Sequence, residues 1–383
     1  WFVALEHEFK WSRFKLTSAM SLSRIEGSIM GPISGYLLDK VGPRTMVLIG
    51  LLIMGSGFVL FSMVRELWHY YAAFIVMSVG TGLGTWLAMM TVMNSWFVRR
   101  RATAMSLVSV GFHLGAAALV PVLAWSVGGL DPNNADRFID NFGWRDTARG
   151  IGFLIIILAF PISRIVRNRP EDHGLRPDGD RPTQAPEAVG QARKPQVSPD
   201  EPAFTWQQAI RTRTFWLVSI GHGCTSVVIV TLMTQLGPML TDQGFSLRMV
   251  GWMISAYTFV GIVFTFVGGY VGDRWSIRLA IFGFCTIQSL AVIVLLLTNG
   301  SPIMAFIFVA LLGISMGRAG MSTAIVGVYF GRGAFATIMG IGQLPMNVLM
   351  FVLPPFAAYM FDTTGSYDVP FSILAVISFI GSV

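Results

Sequence analysis

The apolar runs of this chain decide what it can become. At about 20 residues per bilayer crossing, ten stretches qualify: 16–38, 45–64, 69–93, 102–127, 148–165, 214–240, 249–272, 279–298, 302–327 and 334–360. Runs of that length cross a membrane as helices, because backbone N–H and C=O groups must pair within the segment where no water reaches. Charged residues make up only 12% of the chain, against about a quarter in soluble domains. Residues 1–5 read as the tail of a further helix and 369–383 as the start of another, so the expectation is twelve spans with the first and last truncated.

The net charge of +7 could suggest nucleic acid, but its distribution excludes that. With loops assigned alternately, Lys40, Arg44, Arg99, Arg100, Arg101, Arg274, Arg278, Arg332 and the basic residues of 164–213 fall on one side. The positive-inside rule makes that side cytoplasmic and the protein an integral component of the cell membrane. Cys224 and Cys285 lie inside spans without metal-ligand neighbours and read as core-filling residues. Residues 166–203 hold seven prolines and few large apolar side chains, so they read as a disordered cytoplasmic linker. Phe204 to Arg213 then reads as a short amphipathic helix on the membrane surface. The organisation expected is an N-terminal bundle over 1–165, a linker over 166–213 and a C-terminal bundle over 214–383.

One loop recurs in both halves. Gly27, Gly31, Gly35 and Asp39 repeat every four residues and share a helix face, ahead of the turn Lys40-Val-Gly42-Pro43-Arg44. The second half repeats this as Gly269-Tyr-Val-Gly-Asp273-Arg274-Trp-Ser-Ile-Arg278. Trp96-Phe97-Val-Arg99 is likewise repeated as Tyr329-Phe330-Gly-Arg332. A carboxylate at its own helix's C-terminal end is repelled by the helix dipole. Asp39 therefore needs a partner from outside, and the repeat points to the helix that begins just after Arg332. By the same symmetry Asp273 is expected at the helix start beside Arg99 to Arg101. Asp39, Lys40, Arg44, Asp273, Arg274, Arg278, Arg99 and Arg332 form the expected gate.

These motifs resemble those of the major facilitator superfamily, whose signature between helices two and three matches Gly35-x-x-x-Asp39-Lys40-x-Gly42-x-Arg44. Within it, Glu8-Phe-Lys-Trp11-Ser12-Arg13 and Trp96-Phe97-Val-Arg99-Arg100, followed by Gly111-x-x-x-Gly115, resemble the monocarboxylate porter and oxalate–formate exchanger branch. The resemblance implies an all-α polytopic fold of two six-helix bundles and transport by alternating access. It also brings departures. The Asp and Arg that monocarboxylate porters carry in helix eight fall at Gly261 and Thr265, and 334–360 has no lysine for the exchanger's helix eleven.

Charges inside spans are functional by default. Arg318 lies 12 residues before Phe330, hence ~18 Å deep, where it either binds substrate or links neighbouring helices. Arg24 and Glu26 lie in the outer half of their span, with proton coupling on Glu26 or an interhelical lock as readings. His113 and His222 fall near mid-membrane, and histidine is the side chain type suited to carrying a coupled proton; hydrogen bonding within the core is their alternative. Gln343 and Asn347, four apart, form a polar stripe. Substrate contact is therefore expected from Arg318, His113, His222, Gln343 and Asn347. No phosphate-binding loop, catalytic triad or metal cluster appears in the sequence, so neither an enzyme nor a cofactor is expected. The reading is a monomeric secondary transporter for a small organic anion with a coupled proton. Its rivals are an exporter of neutral or amphiphilic compounds and a non-transporting receptor on the same fold.

Overall fold

The computed structural model describes residues 1–131, 134–139, 141–180, 204–242, 244–298, 300–364 and 368–381. A short α1 (Phe2–Phe9) precedes α2 (Arg13–Val41), which starts at Ser12, whose hydroxyl accepts the Lys15 N–H. α2 stops at Gly42, with φ +92, and α3 (Pro43–Ser62) begins at once. Position 42 needs glycine twice over: its φ is positive, and a Cβ would press on the Asn168 amide. Proline at the first position of α3 gives up an N–H that has no partner there anyway.

α4 (Leu67–Gly84) and α5 (Trp86–Trp96) form a single span interrupted at Thr85, where φ/ψ is −113/−103. α6 (Arg101–Val127), a hairpin of β1 (Gly129–Asp131) and β2 (Asn134–Ile139), and α7 (Gly143–Ile165) complete the first half. β1 and β2 are antiparallel, with Gly129 opposite Ile139. The second half holds α8 (Trp206–Ile210), α9 (Arg213–Asp242), α10 (Leu247–Arg274), α11 (Ile277–Leu296), α12 (Pro302–Ser315), α13 (Arg318–Phe330), α14 (Phe335–Thr364) and α15 (Asp368–Ile380).

The runs 69–93 and 302–327 each form one span with a break inside it, at Thr85 and at Met316–Gly317. The loop after α6 carries the hairpin, and α7 begins at Gly143. One expectation needs correction. Residues 166–180 are not a free linker: they contain two 3-10 turns, Glu171–His173 and Pro177–Gly179, and are tied to neighbouring loops. The remainder of the expected linker, 181–203, lies outside the described residues.

Among the described residues nine spans are long and apolar enough to cross a membrane. α2, the tenth in the sequence reading, is less apolar because it carries Arg24, Glu26 and several serines. Trp252, in the second turn of α10, and Trp275, just after its end, are 65% and 75% exposed. Their spacing along the helix is ~34 Å, which fits aromatic residues at both edges of a ~30 Å hydrocarbon core.

The cores show how the two bundles meet. One cluster joins Leu38, Met46, Met90 and Met105 of the first half to Met321, Phe330, Phe335 and Met339 of the second, on the side of Asp39. The other two clusters are each confined to one half. The glycine stripe of α2 measures the divergence. A Cβ at Gly35 would collide with the Ala336 carbonyl of α14, and one at Gly31 would lie 3.1 Å from the Gly340 carbonyl oxygen. At Gly27 it would meet no described atom within 4 Å. α6 behaves alike: Ser106 packs against Gly269 and Gly320, while Gly111 and Gly115 face open space. The halves clasp on the Asp39 face and splay apart away from it.

On the opposite face Glu8 binds α1 to α7. Its Oε1 lies 2.6 Å from Arg145 Nη2, its Oε2 accepts from Trp144 Nε1 at 2.6 Å, and Arg145 also donates to the Val64 carbonyl at 2.8 Å. Burial alone would raise the Glu8 pKa, but the Arg145 and Trp144 hydrogen bonds and the Arg145 charge outweigh it and hold the carboxyl below its usual value. A lowered folded pKa stabilises the docked loop above the ordinary carboxylate range and loses that contribution as pH falls through the folded value. Protection of the α1 amides, measured against their intrinsic exchange rates, is expected to fall on acidification below about pH 4 in the wild type. In Glu8→Gln that protection should be lower at neutral pH and nearly independent of pH.

Candidate functional site

Two carboxylates organise the clasped face. Asp39 sits two residues before the end of α2, and α14 meets it end-on. Its Oδ1 accepts the Ala336 N–H at 3.2 Å, and its Oδ2 accepts the Thr337 N–H at 2.8 Å and the Thr337 hydroxyl at 2.6 Å. Asp273, at the end of α10, does the same for α6, accepting the Ala102 and Thr103 N–H groups at 2.8 and 2.9 Å. Each carboxylate thus serves as the N-cap of a helix in the other half, satisfying donors that a helix start leaves unpaired. α6 has no side-chain cap of its own: Arg100 occupies its N-cap position.

The basic members of the motif take different places. Lys40 and Arg274 lie over the rings of Tyr36 and Tyr270, one turn back on their own helices, at 5.8 and 4.2 Å. Arg278 hydrogen-bonds the Tyr329 hydroxyl and stacks on its ring. Arg44 contributes its backbone N–H, donated to Asn168 Oδ1 at 2.8 Å. None of these four touches Asp39 or Asp273 in the described contacts. They pack the loops, while the capping is done by backbone.

Sequence reasoning missed the strap that follows α7. Trp96 Nε1 donates to the Arg167 carbonyl at 3.0 Å, and Asn168 fills the corner at Gly42. Glu171 pairs with Arg332 at 2.8 Å, and Arg332 also donates to the Ser95 carbonyl at 3.2 Å. Asp178 Oδ2 accepts the Val98 and Arg99 N–H groups at 3.1 and 3.0 Å, and the Arg99 side chain reaches Asp180 at 2.6 Å. The strap therefore touches the α2–α3, α5–α6 and α13–α14 loops together. Its prolines argued correctly against a core, but not against anchoring by single side chains.

Deeper in the molecule, the α12–α13 break carries Arg318. It is 3% exposed and donates Nε–H to Gln288 Oε1 at 3.1 Å; Gln288, fully buried on α11, donates its amide to the Thr225 carbonyl of α9 at 2.9 Å. No carboxylate pairs with Arg318 in any described ion pair. Gly261 and Thr265, where the monocarboxylate porters carry charge, cradle this break instead. Thr265 donates to the Met316 carbonyl at 3.3 Å, and Gly261 leaves room for the Met316 side chain.

Glu26 faces a cavity between α2, α3 and α4 that is also lined by Ser78, Thr81, Trp86 and Gln343. Ser78 donates to its Oε2 at 2.5 Å, while its Oε1 is buried without a described hydrogen-bond partner. Gln343 lines a second, far smaller void of about 20 Å³ together with His222, Ser219 and Ser322, room for about one water. The His222 Nδ1 is buried there without a described partner. Gln343 thus connects the Glu26 cavity with the His222 void. Asn347 and His113 line neither cavity: His113 is exposed on α6 and its Nδ1–H binds the Ser109 carbonyl of its own helix at 2.7 Å. The Arg24 side chain lies outside the described residues. Arg318 also lines neither cavity.

With this geometry in hand, comparison with known proteins is decisive. The sequence model of the Major Facilitator Superfamily matches residues 1–317 and again 215–383. The chain belongs to that superfamily. The crystal structure of the superfamily transporter FucP in its outward conformation matches over 100% of this chain and 92% of that one, with a TM-score of 0.72 at 10% identity, so the superfamily fold is shared. The "Probable L-galactonate transporter" of Escherichia coli (strain K12) is 25% identical over 284 residues, 72% of this chain and 57% of that protein. The oxalate:formate antiporter of Oxalobacter formigenes is 29% identical over 145 residues, 38% of this chain and 32% of that protein. Monocarboxylate transporters are also among the relatives. The chain spans about a third to three fifths of the length of the curated relatives it matches first.

The Asp39 contact is expected to be worth about 1 kcal/mol or more, and the exposed side of the strap less. Asp39→Asn should raise thiol labelling of a cysteine at Ala334, just ahead of α14, several-fold, and Glu171→Gln should raise it less. Unchanged labelling in both variants would show that the clasp is held by the shared core alone.

Proposed function

We propose that this chain is a secondary active transporter that moves a small organic anion, a monocarboxylate in the first instance, by alternating access with a coupled proton. One observation carries the reading: the halves are joined on one face by reciprocal caps and open on the other, where Glu26 lines the cavity. We read the clasped face as cytoplasmic, in keeping with its basic loops, and the described state as outward-open in the cell membrane. The bundles are 1–165 and 214–383. Asp39, Asp273, Arg332 and the strap act as the gate, with Lys40, Arg44, Arg99, Arg274 and Arg278 packing its loops.

Arg318 supplies the positive charge for the anion. A guanidinium kept inside the membrane without a carboxylate is expensive, and a substrate anion would offset that cost. His222 and Gln343 border the approach. Glu26, which lines its cavity and keeps a buried Oε1 without a described partner, carries the proton. The relatives named above transport carboxylates by their own descriptions, which supports the substrate class. A second reading rests on the burial of Arg318 against Gln288: a neutral or amphiphilic substrate, with the arginine as an internal helix link.

Uptake of formate, lactate, oxalate and galactonate into proteoliposomes, with and without a pH gradient, separates the two readings. Arg318→Gln should weaken anion uptake by about tenfold or more, the equivalent of 1.4 kcal/mol. Wild-type uptake by that variant would leave the structural reading standing. Glu26→Gln should retain exchange of substrate across the membrane and lose accumulation driven by the pH gradient. Accumulation that survives in Glu26→Gln would remove Glu26 from the coupling.

A further inference from the structure

Gln288 has a place in this arrangement that its sequence context does not suggest. It is a fully buried glutamine within an apolar helix, and both ends of its amide are committed. The NH2 group donates to the Thr225 carbonyl at 2.9 Å, which leaves only the carbonyl oxygen to face Arg318 Nε at 3.1 Å. The Thr225 carbonyl can only accept, so the orientation of the amide is fixed by its partners rather than chosen. One turn earlier on the same face of α11, Phe284 fills the space beside Gly317, where a Cβ would strike its ring. α11 thus supports the break between α12 and α13 at two successive turns. Thr225 lies three residues beyond His222 on α9 and donates its hydroxyl to the Gly221 carbonyl at 3.0 Å, so the same glutamine ties the arginine to the helix carrying the histidine.

We propose that Gln288 is a positioning residue that holds the Arg318 guanidinium in place for an anionic substrate while leaving its charge uncompensated. This rests on the reading of Arg318 as the anion's partner. A glutamate at position 288 would reach equally far and bind Arg318 more strongly, but it would supply the negative charge that the substrate is meant to bring. A neutral acceptor holds Nε of the buried guanidinium and adds no negative charge, so its positive charge is left for the anion to offset.

The test uses the full chain in proteoliposomes, with equilibrium exchange of radiolabelled lactate, formate, oxalate and galactonate in the absence of a pH gradient. Gln288→Glu should raise the half-saturation concentration about tenfold or more at pH 7.5. Its ratio to wild type should fall back toward one on acidification. Once protonated, the carboxyl of that variant can donate to the Thr225 carbonyl and accept from Arg318, recreating the native pattern. Gln288→Met, which keeps the length and removes both hydrogen bonds, should raise half-saturation without recovery at low pH. A glutamine of purely structural importance would alter the melting temperature of these variants but leave half-saturation unchanged, and that result overturns the proposal. If Arg318→Gln also exchanges like wild type, or none of the four anions is carried by the wild type, the anion reading itself fails. If Arg318→Gln is impaired while Gln288→Glu and Gln288→Met saturate normally, only the role of Gln288 is lost.

Discussion

A carboxylate at the C-terminal end of its own helix is repelled by the dipole of that helix, and in this chain the problem occurs twice. Asp39 and Asp273 resolve it by capping α14 and α6 of the opposite half. The solution is reciprocal, because those helix starts have donors to satisfy and α6 lacks a side-chain cap of its own. Each half leaves a negative charge that the other half's backbone fits. The consequence is a shared core on that face, running from Leu38 to Phe335, and close helix approach wherever glycine permits it. Capping bonds of this kind are worth about 1 kcal/mol each, strong enough to bias a conformation and weak enough to be exchanged.

The close approach is graded. Along α2, contact with α14 loosens from Gly35 to Gly31 and is gone at Gly27, all within one helical stripe. Two helices joined at one end and splayed at the other give the cleft its shape. Glu26 lies on the open side of this wedge, one residue before Gly27. The α12–α13 break sits in the opposite bundle, wedged by Thr265 from α10 and Phe284 from α11. Polar chemistry in the spans is thus concentrated where helices either separate or break.

Much of this is legible in the residues. The repeat of the Asp39 loop, the glycine stripe and the apolar runs follow from period, dipole and hydropathy, which act locally and leave a mark in the sequence. Contacts that depend on where a distant backbone lies leave no such mark. Gln288 reads as one polar residue in a long apolar run, and only Arg318 and Thr225 on two other helices give it meaning. The break at Thr85 follows Gly80-Thr-Gly-Leu-Gly84 inside a run that is long and apolar enough to span as a whole, and hydropathy is blind to a local change of φ and ψ. The strap reads as free because its composition cannot form a core. Asp178 and Asn168 need no core: each accepts backbone N–H groups from loops at the membrane surface. His113 lines neither described cavity, and its Nδ1–H goes to a carbonyl one turn back on its own helix.

The central claim is that the reciprocal aspartate caps keep one face shut while the other is open. Distances between spin labels on both faces of the reconstituted protein test it most directly. One pair at Thr45 and Gly333 reports the clasped face, and one at Met63 and Ser246 reports the splayed face, all four positions being exposed. Replacing Asp39 and Asp273 together by asparagine should lengthen the first distance and shorten the second, as one population replaces another. If neither distance changes, or both lengthen together as in simple loosening, the caps do not control which face is open.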